Sequence, residues 1–217
     1  YTKLNPFVVL LGKGDHQITS SWTDPDGEEI ATTLGITRSN ITFVGKGKDI
    51  TTILGGFGND NVKNITFKNM TVTNTSDSGD GIRMSNAKVE LVDVALKGCD
   101  SCALYIPRST SVTTVVATRC EFANSYYGSL VNGSLTTATF NNCVFNDNKS
   151  YGIHSRSSII HLHGEATAIH SNGDEGMHAN NSCKVIIHLP SHHNTFYNNE
   201  GEDRTTRNGG TITNVED

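Results

Sequence analysis

Short apolar runs with strict alternation recur along the chain at a nearly fixed interval. The first apolar residue of one type of run is Ile65, Val89, Val115, Ala138 and Leu162, in steps of 24, 26, 23 and 24 residues. A side-chain period of two turns one side of each run inward and the other outward, as in a half-buried β-strand. The pattern therefore predicts short strands arranged in a regular repeat.

Each repeat contains two further runs of the same kind. The second run begins five residues after the first. Its apolar pairs are Met70/Val72, Val94/Leu96, Cys120/Phe122, Cys143/Phe145 and Thr167/Ile169. The third run has inward positions predicted at Ile82/Met84, Leu104/Ile106, Leu130, Ile153 and Met177. Each period of about 24 residues thus holds three short strands.

Only two residues, such as Lys68-Asn69, separate the first strand from the second in each repeat. Two residues are too few for a crossover between parallel strands, and they lack the Asn-Gly chemistry of a tight hairpin. They indicate a bend, so that each strand pairs with its equivalent in the next coil. A β-sandwich also uses short strands but has no reason to keep one register over six periods. The repeat predicts an all-β, single-domain parallel β-helix over residues 1–217, with about seven to eight coils.

Three segments carry a resemblance to a known group of proteins: 40–53 (NITFVGKGKDITTI), 62–74 (VKNITFKNMTVTN) and 79–82 (GDGI). They resemble the opening coils of right-handed parallel β-helix proteins of the pectin-lyase-like superfamily. The superfamily contains polysaccharide lyases, glycosidases, epimerases, esterases and non-catalytic surface or viral proteins, so the resemblance implies a fold more than a function. Its members usually cap the first coil with a helix, and no segment before Phe7 supplies one. We expect the cap upstream or another chain over the open end.

In this superfamily the third strand of each coil lines the substrate groove. Alternation predicts that its outward residues are Arg83, Tyr105, Val131, His154 and His178. Loops on either side would add substrate-binding and rim residues: Trp22, Asp80, Arg108, Tyr126, Tyr127, Tyr151, Arg156, Asp174 and Glu175. Trp22 fits either stacking on a sugar ring or covering the open end of the helix.

These residue types fit the cleavage or C5 epimerisation of a uronic acid polymer. The reaction needs a cation at the carboxylate, a base for the C5 proton and an acid on the opposite side. The cation would be Arg83 or Arg156 and the base His154 or His178. The acid would be Tyr105 or Tyr151. The alternative is a non-catalytic carbohydrate-binding or structural surface or coat protein, which the short loops favour.

No cofactor is expected. None of the five predicted outward groove residues is acidic, which argues against the calcium site of pectate lyases. Eight of the nine histidines lie between His154 and His193. Two of them, His161 and His163, flank inward Leu162 and should point outward on a different face. A zinc site there is conceivable, but no recognisable ligand spacing supports it, so no metal is predicted.

Cys99-Asp-Ser-Cys102 is expected to be a pair of small buried thiols or a local disulfide rather than a redox motif.

The charge and the apolar pattern of the chain limit the classes of partner that it can bind. The net charge is -5 and the cations are scattered, so no nucleic-acid partner is predicted. No apolar run approaches the roughly 18 residues of a membrane span. An acidic glycan is the expected partner. Asn-x-Ser/Thr sequons give a weak expectation of an extracellular or surface location, and they occur at Asn40, Asn64, Asn69, Asn74, Asn132, Asn148 and Asn180.

Overall fold

The structure is a computed structural model that describes residues 1–188 and 195–215. Within these residues every regular element is a β-strand, and the strands form the three faces of a right-handed parallel β-helix. The all-β β-helix prediction is therefore confirmed. Successive coils pair in parallel register, with Ile41 beside Ile65 and Ile65 beside Val89, which are steps of 24 residues.

The first face is formed by β1 (Phe7–Leu10), β6 (Ile41–Val44), the start of β9 (Ile65–Thr73), the start of β11 (Lys88–Lys97), β13 (Thr113–Thr118), β16 (Thr136–Asn141), β19 (Ile159–His163), β22 (Lys184–His188) and β25 (Thr211–Asn214). The second face is formed by β2 (Gly14–Gln17), β7 (Thr51–Leu54), the ends of β9 and β11, β14 (Glu121–Ala123), β17 (Val144–Asn146), β20 (Ala168–His170) and β23 (Phe196–Tyr197).

The third face is a separate eight-stranded sheet. Its strands are β5 (Thr33–Ile36), β8 (Gly56–Asp60), β10 (Ile82–Ser85), β12 (Cys102–Ile106), β15 (Tyr127–Asn132), β18 (Ile153–Arg156), β21 (Met177–Asn180) and β24 (Arg204–Thr206). A small antiparallel pair, β3 (Trp22–Thr23) and β4 (Glu29–Ile30), belongs to the loop that precedes this face.

The bends between the first and second faces have the left-handed backbone conformation. The residue at the bend has φ of 56° at Asn69, 54° at Asp93, 54° at Arg119 and 51° at Asn142. Asn and Asp tolerate this region better than most residues because their short polar side chains bond locally. The two-residue spacers of the sequence are therefore bends, as predicted.

Inward side chains stack on equivalent side chains of the next coil. The rings of Phe122 and Phe145 lie 4.6 Å apart and are 6° from parallel. Phe43 and Phe67 repeat this arrangement nearer the N-terminus, at 5.2 Å. Burial of such rings is the main stabilising contribution in a core this narrow.

An amide ladder fixes the turn that leads into the third face in the C-terminal coils. Asn148 donates to Asn172, and Asn172 donates to Asn199, both at 2.9 Å. All three side chains also donate to a backbone carbonyl of the second-face strand in the preceding coil. Each turn therefore starts from the same point, which aligns the loops that contain Tyr151 and Glu175.

One coil differs from the sequence prediction by a single residue. Val131 was predicted to point outward, but it is fully buried, and Leu130 points outward instead. The inward position beside Leu104 and Ile153 is occupied by Ser129. Because Ser129 is small and polar, an apolar pattern alone shifts the register of this strand by one residue, which reverses its two faces.

The five cysteines are free thiols, and all are buried. Cys99 and Cys102 therefore match the buried-thiol expectation and form no disulfide with each other. No helix among the described residues is long and apolar enough to span a membrane.

Candidate functional site

The outward positions of the third face form a continuous column, here called the outward column. Parallel register places its members side by side, one from each coil: Gly35, Gly58, Arg83, Tyr105, Leu130, His154, His178 and Thr205. Neighbouring strands are about 4.8 Å apart. The column therefore begins with two glycines and ends in polar side chains.

The indole of Trp22 packs directly against the two glycines. A Cβ atom at Gly35 would lie 2.3 Å from the Trp22 ring, and one at Gly58 would lie equally close. Any larger residue at either position would displace the ring. Of the two alternatives for Trp22, the structure thus has the indole over the outward column.

Arg83 is held by carboxylates of the protein itself. Its Nη2 donates to Asp24 at 2.5 Å, and its Nη1 lies 3.7 Å from Asp80. Both carboxylates are buried, and Glu28 lies 4.0 Å away at the rim. The guanidinium also covers the Tyr105 ring at 4.8 Å. The charge of Arg83 is therefore balanced within the protein.

Tyr105 and the histidines belong to different parts of the column. Tyr105 pairs with Leu130, and Leu130 pairs with His154, so Tyr105 and His154 are two strands apart. At about 4.8 Å per strand this separation is roughly 10 Å. Tyr105 and the histidines cannot therefore contact the same reacting atom.

His154 and His178 form a stacked pair in the C-terminal half of the column. Their ring centroids are 5.0 Å apart, and each residue is only 4% exposed. Burial lowers the pKa of His154 to about 4, with smaller contributions from the charges of Arg156 and His178. Burial also lowers the pKa of His178, helped by nearby Arg207 and Arg156. Both imidazoles are neutral at pH 7.

Tyr151 lies edge-on against both imidazoles, with centroid distances of 4.7 Å to His154 and 5.3 Å to His178. Desolvation raises its pKa to about 12, and the negative charges of Glu175 and Asp174 add to this shift. Tyr127 stacks on Tyr151 at 5.7 Å, and Tyr126 packs against the edge of Tyr127. The three tyrosines form an aromatic border along one side of the histidine pair.

Arg156 fixes the tautomer of His154. Its Nε donates to Nε2 of His154 at 3.1 Å. Because a guanidinium only donates, Nε2 must be the acceptor and the ring proton must lie on Nδ1. The Nδ1–H of His154 is a buried donor without a hydrogen-bond acceptor among the described residues. Arg156 itself is otherwise exposed to solvent.

Glu175 approaches His178 from the loop before β21. Its Oε1 is 3.7 Å from Nδ1 of His178. Burial raises the pKa of Glu175, and a shared hydrogen bond with Asp174 raises it further. Burial lowers the pKa of His178, so desolvation favours the uncharged form of each group. Glu175 and His178 therefore do not form a strong ion pair.

Buried polar atoms without a hydrogen-bond partner concentrate around this pair. Of the nine such atoms in the described residues, four are Nδ1 of His154, both ring nitrogens of His178 and Oε2 of Glu175, and another is Nε of Arg83 in the other half of the column. Buried polar groups in native proteins almost always have a partner. These donors and acceptors lie at one place and are suited to hydrogen-bonding a polar molecule.

Several predicted site residues, including Tyr105, lie outside this cluster. Arg108 is exposed in the loop after β12, and Trp22 with Arg83 belongs to the other half of the column. Asp24 was not predicted as a site residue at all. It lies 59 residues before Arg83, and no local sequence signal indicates that the two meet.

Two surface depressions lie on other faces. One of about 390 Å³ is lined by residues of the first face such as Thr66, Lys88 and Glu90. The second face has one of about 510 Å³ that includes Lys48 and Lys97. Neither contains a cluster of orphaned buried atoms, so we base the candidate site on the chemistry of the histidine pair rather than on cavity size.

Comparison with known proteins identifies the family to which the chain belongs. The profile of the family described as "right handed beta helix region" matches residues 80–216. The chain belongs to this family. It has no significant match among curated protein sequences.

Solved structures with a similar fold include two enzyme modules from Azotobacter vinelandii. The mannuronan C-5 epimerase AlgE6 A-module has a TM-score of 0.55 at 14% identity, covering 95% of this chain and 69% of the module. The AlgE4 A-module has a TM-score of 0.57 at 11% identity, covering 93% and 65%. The chain thus spans about two thirds of the length of these modules.

A pectin methylesterase variant, solved with a hexasaccharide, also shares the fold. Its TM-score is 0.53 at 13% identity, and the match covers 98% of this chain and 85% of the esterase. At these identities the likeness concerns the fold, and the chemistry has to be argued from the side chains.

Proposed function

We propose that the protein acts on an acidic polysaccharide through the C-terminal half of the outward column, as a lyase or C5-epimerase of a polyuronate. The observation that carries the proposal is the buried, neutral His154/His178 pair, with its ring nitrogens that lack hydrogen-bond partners, beside the Tyr151 ring. Polysaccharide-acting β-helix enzymes among the similar structures support the choice of substrate class.

His178 is the better candidate for the base. Nε2 of His154 already accepts from Arg156, whereas neither ring nitrogen of His178 has a hydrogen-bond partner. The pKa of His178 is lowered, so at pH 7 the ring is neutral and one nitrogen has a lone pair. Glu175 lies on the Nδ1 side of the ring and orients it.

Tyr151 is the candidate acid, since a phenol whose pKa is raised to about 12 keeps its proton until the transition state. Arg156 is the candidate partner of the substrate carboxylate, because Arg83 is already paired with Asp24 and Asp80. The Nδ1–H of His154 would donate a further hydrogen bond to the same carboxylate or to a sugar hydroxyl.

In the lyase reaction His178 removes the C5 proton, and that electron pair becomes a C4–C5 double bond. The C4–O bond breaks at the same time, and Tyr151 gives its proton to the departing oxygen. In the epimerase reaction no C–O bond breaks, and Tyr151 returns a proton to C5 from the opposite side. Arg156 offsets the negative charge that accumulates on the carboxylate in either transition state.

A second candidate function is glycan binding without turnover. The observation in its favour is the small exposure of His154 and His178, 4% each, beneath Tyr127 and Tyr151. A polymer that only stacks on the tyrosine border would never contact the imidazoles.

The test is incubation with mannuronan, alginate, polygalacturonate and glucuronan, followed by ultraviolet absorbance of the unsaturated product and by NMR of the uronate composition. We expect turnover of at least one polymer and a loss of at least about 100-fold in Tyr151→Phe. The matched control is Tyr197→Phe, which removes a hydroxyl on the second face and should leave the rate unchanged.

Two results would count against catalysis. The first is binding to a polyuronate with no lyase product and no epimerised residue, which would support the binding surface instead. The second is turnover that survives Tyr151→Phe and His178→Gln, which would move the reaction away from this pair.

A further inference from the structure

A second histidine cluster lies on the first face, on a side of the β-helix that the proposed reaction does not use. His161 and His163 point outward from β19 because they flank inward Leu162, as the sequence predicts. His188 ends β22, and parallel register places it directly beside His163. We call these three residues the histidine triplet.

The three rings are close enough to share one ion. Nδ1 of His161 is 3.0 Å from Nε2 of His188. The rings of His163 and His188 are 4.0 Å apart and 12° from parallel. One ring nitrogen from each residue lies within 4.8 Å of the other two.

These spacings fit a tetrahedral metal. Zinc–nitrogen bonds of about 2.0–2.1 Å in a tetrahedral arrangement place the nitrogens roughly 3.4 Å apart. The His161–His188 pair is already near that value, and the ring of His163, which stacks on His188, has to rotate about its side-chain bonds to direct a nitrogen to the same ion. Two histidines on one strand with a third on its neighbour provide three ligands on a rigid backbone.

The chemistry of the donor set selects the kind of ion. Three imidazoles suit zinc and similar divalent transition metals, whereas calcium and magnesium need oxygen ligands. The register neighbours on the previous strand, Thr139 and Asn141, are uncharged.

We propose that His161, His163 and His188 form a binding site for a divalent transition metal, zinc being the expected ion. The site joins β19 to β22 and would therefore stabilise the C-terminal coils. Zinc was judged unsupported from ligand spacing alone, because His163 and His188 become neighbours only through the register of successive coils.

The full chain, stripped of metal with a chelator, is titrated with zinc in a competition assay and by calorimetry. We expect one strong site per chain and a higher unfolding temperature with zinc than without it. Replacing the zinc by cobalt should give the absorption spectrum of a tetrahedral ion. In the His161→Gln/His163→Gln variant the affinity should fall by at least about 10-fold.

Two matched controls separate this site from other histidines. The His170→Gln variant removes a ring on the second face, where it stacks on Tyr197, and should bind zinc as the wild type does. The His192→Gln/His193→Gln variant changes two histidines outside the described residues and should also keep the strong site. Loss of zinc in that variant, with retention in the His161→Gln/His163→Gln variant, would overturn the proposal.

A direct measurement on the wild-type chain covers the case in which a variant does not fold. Zinc should shift the imidazole NMR signals of His161, His163 and His188 at one equivalent and leave those of His154 and His178 in place. Shifts confined to other histidines, or no binding tighter than to the His161→Gln/His163→Gln variant, would contradict the site. Because the triplet lies on another face, either result is independent of turnover at Tyr151 and His178.

Discussion

The two halves of the outward column have the same backbone geometry and opposite chemistry. In the N-terminal half Arg83 is covered by Trp22's loop, and its charge is paired with Asp24 and Asp80, although its buried Nε has no hydrogen-bond partner among the described residues. In the C-terminal half His154 and His178 have buried ring nitrogens without hydrogen-bond partners among the described residues.

The comparison indicates which half of the outward column is suited to binding a ligand. A charged group that is buried with its counter-charges is satisfied, and removing one partner is destabilising. Neutral groups that are buried without hydrogen-bond partners carry a desolvation penalty, and hydrogen bonds to a bound polar molecule offset that penalty. The first half of the column therefore stabilises the fold, and the second half is suited to binding and proton transfer.

Removing the carboxylate of Asp24 should have the largest effect on stability. Asp24 balances Arg83 and also accepts two backbone hydrogen bonds, from Asp26 and Glu28, at 2.9 Å each. We expect Asp24→Ala to lower the free energy of unfolding by about 3–5 kcal/mol in urea titrations.

Asp24→Asn is the matched control, because its side-chain oxygen can still accept the turn hydrogen bonds while the charge is lost. It should be destabilised less than Asp24→Ala. Glu175→Gln, in the other half, should change stability by no more than about 1 kcal/mol, since Glu175 forms no strong ion pair. Equal losses in Asp24→Ala and Glu175→Gln would remove the distinction between the halves.

Gly58→Ala should displace the Trp22 ring from its packing position against the third face. The new Cβ would lie 2.3 Å from the Trp22 ring, and crowding of this kind costs about 1–3 kcal/mol. Trp22 is the only tryptophan, so its fluorescence should shift to longer wavelength as the ring is displaced. Gly12→Ala is the control, because no atom lies within 4 Å of the added Cβ. An unchanged emission in Gly58→Ala would mean that the indole does not rest on this glycine.

The histidine pair should make stability depend on pH. The pKa of His154 is lowered to about 4 in the folded chain, against about 6.5 in an unfolded one. Between these values the unfolded chain binds a proton that the folded chain does not, so stability is complete above about pH 6.5 and falls towards pH 4. His178 contributes in the same direction because its pKa is also lowered.

The measurement is the free energy of unfolding between pH 4 and 8 for the wild type and for His154→Gln. The variant should lose part of the slope between pH 4 and 6.5. A wild-type profile that is flat over this range, or one that rises as the pH falls, would contradict the buried neutral pair.

The smallest effect is expected at an exposed ion pair on the bend between the first and second faces. Arg119 binds Asp93 through two hydrogen bonds of 2.8 and 2.7 Å. Exposed pairs of this kind contribute little to stability, because solvent screens the charges and the side chains lose entropy. Arg119→Ala should therefore be much milder than Asp24→Ala in the same urea titration. A loss as large as that of Asp24→Ala would show that exposure does not separate the two pairs.

The repeat is readable from the sequence because it is a local property repeated many times. The apolar alternation at Ile65 and Val89 recurs in every coil, so a single irregular coil does not hide it. The failure at Leu130 and Val131 has a physical reason, because Ser129 occupies an inward position where the pattern expects an apolar residue. A local deviation of this kind affects one strand and leaves the architecture intact.

The candidate site is only partly readable. Alternation puts His154 and His178 on one face, and their contact follows from the register. The pairing of Arg83 with Asp24 depends on a loop that crosses the third face, and no repeat encodes it. The histidine triplet likewise needs the register of β19 against β22. Loops and registers between coils therefore supply the part of the chemistry that periodicity does not.

The most direct test of the difference between the two halves is exchange of the C5 hydrogen of a polyuronate in heavy water, followed by NMR. The wild type should either incorporate deuterium at C5 of at least one polymer, as an epimerase, or remove the C5 hydrogen to give the C4–C5 unsaturated product, as a lyase. His178→Gln should reduce the rate of whichever reaction occurs by at least about 100-fold, whereas Tyr105→Phe should stay within a few-fold of the wild type. Absence of both exchange and unsaturated product with every polymer, or an equal loss in both variants, would contradict the assignment of proton transfer to the histidine half of the column.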